Sequence, residues 1–148
     1  MTHDSFAAVL HLLKAHAVLE ERIAGELASI HGLALKDALL LMQLDQAPLA
    51  RLSRVELARR LNASPSTITR TCMPLEKLGL VGREDDQRDA RLSYVVLTEA
   101  GRTRVSEAKT TLRQKAAELF SDRWDEAEIA TLADLLGRLT AGQPGRLA

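Results

Sequence analysis

Two arginines in the middle of the chain, Arg70 and Arg88, lie in surroundings that suit the binding of an anion. Arg70 closes the run Ser64–Arg70, whose small hydroxyl residues are typical of the start of a helix. Arg88 lies in the charged segment 84–91, where no buried face needs it. A guanidinium can donate two parallel hydrogen bonds to phosphate or to the edge of guanine. These residues therefore predict recognition of DNA.

Arg70 is carried by the second of two helices that the sequence predicts one after the other, over 53–61 and 64–78. Ser53 and Glu56 have the spacing of a capping box at the start of the first helix. Ser64 and Pro65 suit the N-cap and first positions of the second. A stripe at helical spacing predicts its buried face, formed by Ile68, Cys72, Leu75 and Leu78.

The short turn Asn62-Ala63 makes this pair a helix-turn-helix, and the polar face of its second helix is the predicted reading surface. Ser66, Thr67 and Arg70 are placed to reach base edges, whereas Ser64 and the first free N–H groups are placed to hold a phosphate. The alternative is an ordinary amphipathic helix with a solvated polar face. The full predicted set of DNA-binding residues is Ser64, Ser66, Thr67, Thr69, Arg70, Lys77, Arg88 and Arg91.

A hairpin follows, with strands predicted over 80–83 and 92–97 and with Arg88 at its tip. We expect Arg88 to enter a minor groove, where negative potential is concentrated. Asp86 and Asp89 would be repelled by phosphate if unpaired, so we expect them to hold Arg88 and Arg91 in place. The alternative is a solvated charged turn.

The remaining elements are predicted to be helical, apart from a short strand over 49–52 and a frayed segment that starts at 143. Helices are expected over Ser5–His31, Leu35–Leu44, 99–120 and 125–140, the third of them capped by Thr98. The fold class is mainly α with a β-hairpin wing. We divide it into an N-terminal helix for dimerisation (1–34), a winged helix-turn-helix (35–104) and C-terminal dimerisation helices (105–148).

The terminal helices carry more apolar surface than one small domain can bury, which predicts a helical homodimer interface. The residues expected to be buried by a second chain are Phe6, Leu10, Leu13, Leu132, Leu136 and Leu139. Trp124 is expected to pack between the last two helices.

The distribution of charge supports the assignment of DNA binding to the centre of the chain and of dimerisation to its ends. Residues 49–104 hold 11 basic and 7 acidic residues, a net +4, and the rest of the chain has a net −4. A basic centre localises an anion-seeking surface. With no membrane-spanning run, no signal-like start and a single cysteine, we expect a cytoplasmic protein that contacts no membrane.

Five segments together resemble the MarR family of transcriptional regulators: Leu57–Leu61, Ser64–Arg70, Leu75–Val81, Asp86–Arg91 and the Leu-Thr-x-x-Gly of Leu97–Gly101. The resemblance implies a homodimer on a pseudo-palindromic operator, and we expect a repressor. It also implies frequent control by phenolic or lipophilic ligands, in a pocket near the end of the first helix, the second helix and the fifth. Met73-Pro74 departs from the charged pair frequent in the family, and Pro74 is expected to kink the recognition helix.

Other chemistry has little support in the sequence. Cys72 lies on the buried stripe, so we interpret it as a core residue rather than a redox sensor. His16 and Glu20 are one turn apart, and no second His or Cys completes a zinc site with them. We expect neither a cofactor nor an enzyme, since phosphate-loop, H-E-x-x-H and G-x-S-x-G motifs are missing. The alternatives are a metal-responsive regulator and a winged helix that binds protein.

Overall fold

The computed structural model describes residues 2–147, with side chains for 4–147. Within these residues the chain forms six α-helices and three short strands. Met1 and Ala148, which the predicted terminal regions include, lie outside the described residues. The helices are α1 (Thr2–His31), α2 (Leu35–Gln46), α3 (Arg54–Arg60), α4 (Pro65–Lys77), α5 (Glu99–Leu119) and α6 (Glu126–Leu139). The strands are β1 (Arg51–Ser53), β2 (Val81–Asp85) and β3 (Ser93–Leu97). The predicted fold class, mainly helical with a hairpin wing, is confirmed.

The strands form one antiparallel sheet in the order β1-β3-β2. Val95 is the central residue, paired with Leu52 on one side and with Arg83 on the other. The prediction ended the first strand of the hairpin two residues too early. The observed strand β2 extends to Asp85, because Glu84 and Asp85 pair with Tyr94 and Ser93 while their charged side chains stay exposed.

The core surrounds α2, whose Leu40, Leu41 and Leu44 have no exposed surface. It is completed by α3, α4, the sheet and the first half of α5 through Leu57, Ile68, Leu75, Val95 and Val105. Because each element of the winged helix contributes apolar side chains to the one buried cluster that contains α2, the helix-turn-helix and the wing are held as one unit.

Two helix ends follow the glycine signals in the sequence. Gly32 ends α1 with φ +64 and Gly79 follows α4 with φ +73, the left-handed conformation that glycine adopts without strain. After Gly79 the Leu80 N–H donates to the Leu75 carbonyl at 3.0 Å, and Leu80 is buried. Leu78, predicted to be buried, is 58% exposed, because the turn at Gly79 gives its place in the core to Leu80.

The segment around Pro48 differs from its prediction. The expected strand 49–52 begins only at Arg51, because Pro48–Ala50 form a 3-10 turn in which Leu49 has φ 58. The second helix continues two residues beyond its predicted end and stops before Ala47, which is extended, as the residue before a proline usually is.

Among residues 2–147, α1 and α2 reach membrane-spanning length and apolarity only as a pair bent by 78°, and no single helix does so.

Candidate nucleic-acid interface

The start of α4 is built by hydroxyl groups. The Ser64 Oγ accepts a hydrogen bond from the Thr67 N–H at 3.2 Å, which caps the helix as expected. The hydroxyls of Ser66 and Thr67 lie 3.0 and 2.9 Å from the same Oγ. Thr69 donates to the Pro65 carbonyl at 3.1 Å. The first turn of α4 is therefore a cluster of exposed or half-exposed hydroxyls with free backbone N–H groups at its end.

The two faces of α4 separate as the sequence predicts, with one addition. Ile68, Cys72 and Leu75 are buried, and so is Thr71, whose hydroxyl donates to the Thr67 carbonyl at 2.9 Å. The outward face of the helix presents Ser66, Arg70, Met73, Pro74 and Lys77 to solvent. The helix continues through Pro74 to Lys77, so the proline does not end it.

Ion pairs engage some of the basic residues of the winged helix and leave others, including three on α4 and the wing, without a carboxylate partner in the described part of the chain. Arg59 and Arg60 both bind Glu56 at 3.1 Å, Arg83 binds Glu76 at 3.0 Å, and Arg51 binds Glu84. Within residues 4–147, Arg70, Lys77 and Arg88 have no carboxylate within ion-pairing distance and are exposed. These three are among the residues that the sequence predicted to bind DNA, and their charge is free to meet phosphates or base edges.

Asp86 organises the tip of the wing. Its Oδ1 accepts hydrogen bonds from the backbone N–H of Arg88 at 2.7 Å and of Asp89 at 3.2 Å. Its Oδ2 accepts the Tyr94 hydroxyl at 2.7 Å. These bonds, the one from Tyr94 foremost, hold the pKa of Asp86 below its ordinary value. The bond to Asp86 in turn raises the pKa of Tyr94. The tip is thus a defined turn.

The predicted role of the two aspartates needs correction in one respect. Asp89 does contact Arg91, through its backbone N–H at 3.0 Å and its Nε at 3.5 Å. Neither aspartate binds the Arg88 guanidinium, because the Asp86 carboxylate binds two backbone N–H groups and Tyr94, and the Asp89 carboxylate binds Arg91. Asp86 therefore shapes the backbone that carries Arg88, whose side chain extends freely.

Sequence reasoning missed two supporting residues, Arg51 and Tyr94. The Arg51 guanidinium lies 4.6 Å from the centre of the Tyr94 ring, a cation–π contact. Tyr94 also pairs across the sheet with Glu84, the ion-pair partner of Arg51. The signal that could have identified Tyr94 is that it is the chain's sole tyrosine and lies on the strand that follows the charged tip.

The Leu-Thr-x-x-Gly segment connects the recognition helix to α5. The Thr98 hydroxyl donates to the Gly79 carbonyl at 2.6 Å and accepts the Gly101 N–H at 3.0 Å. The Thr98 N–H donates to the Leu80 carbonyl at 3.1 Å. A Cβ on Gly101 would collide with that carbonyl oxygen and would lie 2.7 Å from Leu97 Cδ1. Only glycine therefore lets α5 start directly against the end of α4.

The terminal helices expose the residues that the sequence assigns to a dimer interface. Phe6, Leu10 and Leu13 on α1 are 65%, 48% and 60% exposed in the single chain. On α6, Leu136 and Leu139 are exposed and Leu132 is half-buried. Trp124 packs edge-on against Phe120 at 5.5 Å, at the junction of α5 and α6.

The residues weighed for other chemistry have ordinary surroundings. Cys72 is buried, and burial, followed by the charge of Glu76, raises the pKa of its thiol to about 11. His16 Nε2 lies 3.6 Å from Glu20 Oε2 at the surface. In the part of the chain that the structure describes, no third His, Cys, Asp or Glu joins them to form a metal-binding group.

A helix-turn-helix whose second helix exposes unpaired cations, followed by a hairpin wing that carries an exposed arginine, defines a winged-helix DNA-binding protein. The comparisons with known proteins agree. The MarR family model matches residues 33–93. The HTH-type transcriptional repressor YetL of Bacillus subtilis is 32% identical over 130 residues, 86% of this chain and 75% of its own length.

A second relative, the HTH-type transcriptional regulator YdgJ of Bacillus subtilis, is 30% identical over 88 residues. That match covers 60% of this chain and about half, 53%, of the relative. A MarR family regulator from Streptomyces coelicolor, solved in complex with DNA, superposes with a TM-score of 0.83 at 23% identity. The superposition covers 96% of this chain and 89% of that one, and it establishes the fold.

The chain belongs to the MarR family of transcriptional regulators, which are DNA-binding proteins and not enzymes.

Proposed function

We propose that this regulator is a repressor that binds a pseudo-palindromic operator as a homodimer, with α4 in the major groove and the wing in the minor groove. The observation that carries the proposal is the placement of three unpaired cations. Arg70 and Lys77 on the outward face of α4 and Arg88 at the tip of the wing are exposed without a carboxylate partner among residues 4–147. The basic residues of the same region that are paired are Arg51, Arg59, Arg60 and Arg83. The name of the relative YetL supports the repressor role.

Each predicted contact has a role in this proposal. Arg70 reads a guanine through two hydrogen bonds, and Ser66 and Thr67 contact neighbouring base edges. Ser64, Thr69 and Lys77 contact phosphates beside them, and these contacts fix the register of the helix on the duplex. In the wing, Arg88 enters the minor groove and Arg91 contacts the adjacent backbone, while Asp86 and Asp89 maintain the turn.

The homodimer is proposed from the exposed apolar faces of α1 and α6. Large side chains on both helices are 40% to 67% exposed at Phe6, Leu10, Leu13, Leu136 and Leu139, and large exposed apolar surface of this kind is typical of an interface. None of the residues of α6 is buried within the single chain, although its sequence is strongly amphipathic. In this proposal, 1–34 and 105–148 form the dimerisation region and 35–104 the DNA-binding region.

Release by a small lipophilic or phenolic ligand stays a prediction from the family resemblance. The junction of α1, α2 and α5 is filled by Leu27, Ala38 and Ala108 in the single chain. A cleft of about 240 Å³ between α1 and α5 has a polar lining, with Arg22, Lys115 and Glu118. Thermal shift across phenolic acids and fatty acids tests the prediction, and a uniform lack of stabilisation would count against it.

The proposed function is tested by selection from a pool of random duplexes, followed by sedimentation of the complex. We expect an enriched sequence with two-fold symmetry and a stoichiometry of two chains to one duplex. Enrichment of a site without symmetry, or a single chain on each duplex, would contradict the homodimer. A pool that yields no enriched sequence would contradict sequence-specific binding altogether.

A further inference from the structure

The chain does not fray after α6 but returns to the winged helix. Residues 143–147, which we call the C-terminal clasp, lie against the second half of α2 and the end of α3. The Gln43 Nε2 donates to the Gly145 carbonyl at 2.7 Å, and the Gln46 Nε2 donates to the Leu147 carbonyl at 3.1 Å. Gln43 is almost completely buried, and the bond to Gly145 satisfies its Nε2, whereas its Oε1 has no partner among the described residues.

Gly145 is the residue of the clasp that fits most closely. Its φ is +85, and a Cβ added to it would lie 2.6 Å from Arg60 Cβ and 2.8 Å from the Arg60 carbonyl oxygen. The backbone of the clasp therefore rests directly on the last turn of α3, which leads into the recognition helix. Gly142, by contrast, has a nearly equal φ of +84 with nothing within 4 Å of its Cβ position.

The clasp gives α6 a second connection to the winged helix. The first is α5, which starts against α4 at Gly101 and leads to α6 through Phe120 and Trp124. α1 is already joined to α2 and packs on α2 and α5 through Leu27, Ala38 and Ala108, so the freedom that remains is that of α6 about the turn that follows α5. A second attachment on α2 and α3 removes that freedom. The orientation of α4 relative to α6 is then fixed from both sides.

We propose that the C-terminal clasp sets the separation of the two recognition helices, and that Gly145 and Gln43 are positioning residues for the operator spacing that the dimer accepts. The inference rests on the proposed function, because it requires a homodimer on two half-sites. One base pair of spacing changes the half-site separation by about 3.4 Å and rotates it by roughly 35°. A rigid dimer discriminates against that change, and a dimer with a released clasp tolerates it.

The test uses the full chain and a duplex series made from the palindrome selected by the wild type, with the half-site spacing changed by −2 to +2 base pairs. For the wild type we expect affinity to fall about tenfold for a change of one base pair, a penalty of about 1.4 kcal/mol. For Gly145→Ala and Gln43→Leu we expect the fall to shrink to within about threefold. Gln43→Leu keeps a buried side chain of similar size, so it removes the hydrogen bond without opening the core.

Gly142→Ala is the matched control, since it introduces the same backbone strain without touching Arg60. It should keep the wild-type spacing profile. A role in stability alone would lower affinity at every spacing equally and leave the profile unchanged. Unchanged profiles in both Gly145→Ala and Gln43→Leu, or a wild type indifferent to spacing, would overturn the inference.

A measurement without DNA separates this inference from the proposed function. Spin labels on Gln87→Cys at the wing tips report the distance between the two winged helices of the free dimer, and the buried Cys72 is shielded from labelling. We expect one narrow distance distribution, broadened by Gly145→Ala and not by Gly142→Ala. Equal widths would refute the clasp, whereas the lack of any dipolar coupling would indicate a monomer and refute the homodimer itself.

Discussion

Replacement of Gly101 by alanine tests whether the contact between α4 and α5 fixes the fold. The added Cβ would overlap the Leu80 carbonyl oxygen and lie 3.0 Å from the carbonyl carbon, both backbone atoms that cannot rotate away. Leu80 is buried and its carbonyl also accepts the Thr98 N–H, so any movement disturbs the junction. Overpacking of this kind costs about 1–3 kcal/mol, and a shift of backbone places the value at the upper end.

Alanine normally stabilises a helix relative to glycine by about 0.5–1 kcal/mol, so the two effects oppose each other. The net expectation is a loss of about 2 kcal/mol in the free energy of unfolding, measured by urea denaturation at fixed protein concentration. Gly25, within α1, has nothing within 4 Å of its Cβ position, so Gly25→Ala serves as the matched control and should be neutral or stabilising. If Gly101→Ala is as stable as the wild type, the close approach of α5 to Leu80 is wrong.

Three further predictions concern Tyr94, Cys72 and the apolar faces of α1 and α6. Tyr94 is the only tyrosine, so absorbance at alkaline pH follows its titration alone. Its hydrogen bond to Asp86 raises its pKa above 10.0. The contribution of that bond to stability is therefore full below pH 10 and is lost as the pH rises through the pKa that Tyr94 has in the folded protein. Asp86→Asn should return the tyrosine pKa towards 10, and an unchanged titration would refute the bond. The thiol of Cys72, with its pKa raised to about 11, should react with a disulfide reagent at pH 8 only after unfolding, and rapid reaction of the native protein would refute its burial. Leu10→Asp and Leu136→Asp should each convert the dimer to monomers in sedimentation, since burial of a leucine contributes about 1.5–3 kcal/mol for each copy. Leu49 is exposed outside α1 and α6, so the control Leu49→Asp should stay dimeric. A dimer in all three variants would place the interface on another surface.

Local signals in the sequence were sufficient for the helix-turn-helix. The N-cap at Ser64, the proline at position 65 and the glycine at 79 act within one turn of helix, and the structure places all three as predicted. Leu78 shows the limit of this reasoning. Helical periodicity continued the buried stripe through it, but the turn at Gly79 ends the helix there and buries Leu80.

The contacts that the sequence did not predict join residues distant along the chain. The hydrogen bond from Gln43 to Gly145 spans 102 positions, and nothing in a pattern of hydrophobic residues predicts it. The wing was predicted only in part. The acidic neighbours of Arg88 predicted ion pairs, whereas Asp86 binds nearby backbone N–H groups and the hydroxyl of Tyr94 on β3, eight residues further along the chain.

The central claim is that Arg70 reads sequence while Arg88 supplies affinity that depends little on sequence. The direct measurement is a salt-dependent titration of the wild type, Arg70→Ala and Arg88→Ala on the selected duplex and on a scrambled one. We predict that Arg70→Ala removes about 1–3 kcal/mol of discrimination while binding to the scrambled duplex changes less. Arg88→Ala should weaken binding to both duplexes and reduce the salt slope by about one unit per subunit. If Arg88→Ala leaves affinity and salt slope unchanged and Arg70→Ala keeps full discrimination, neither α4 nor the wing binds DNA as described.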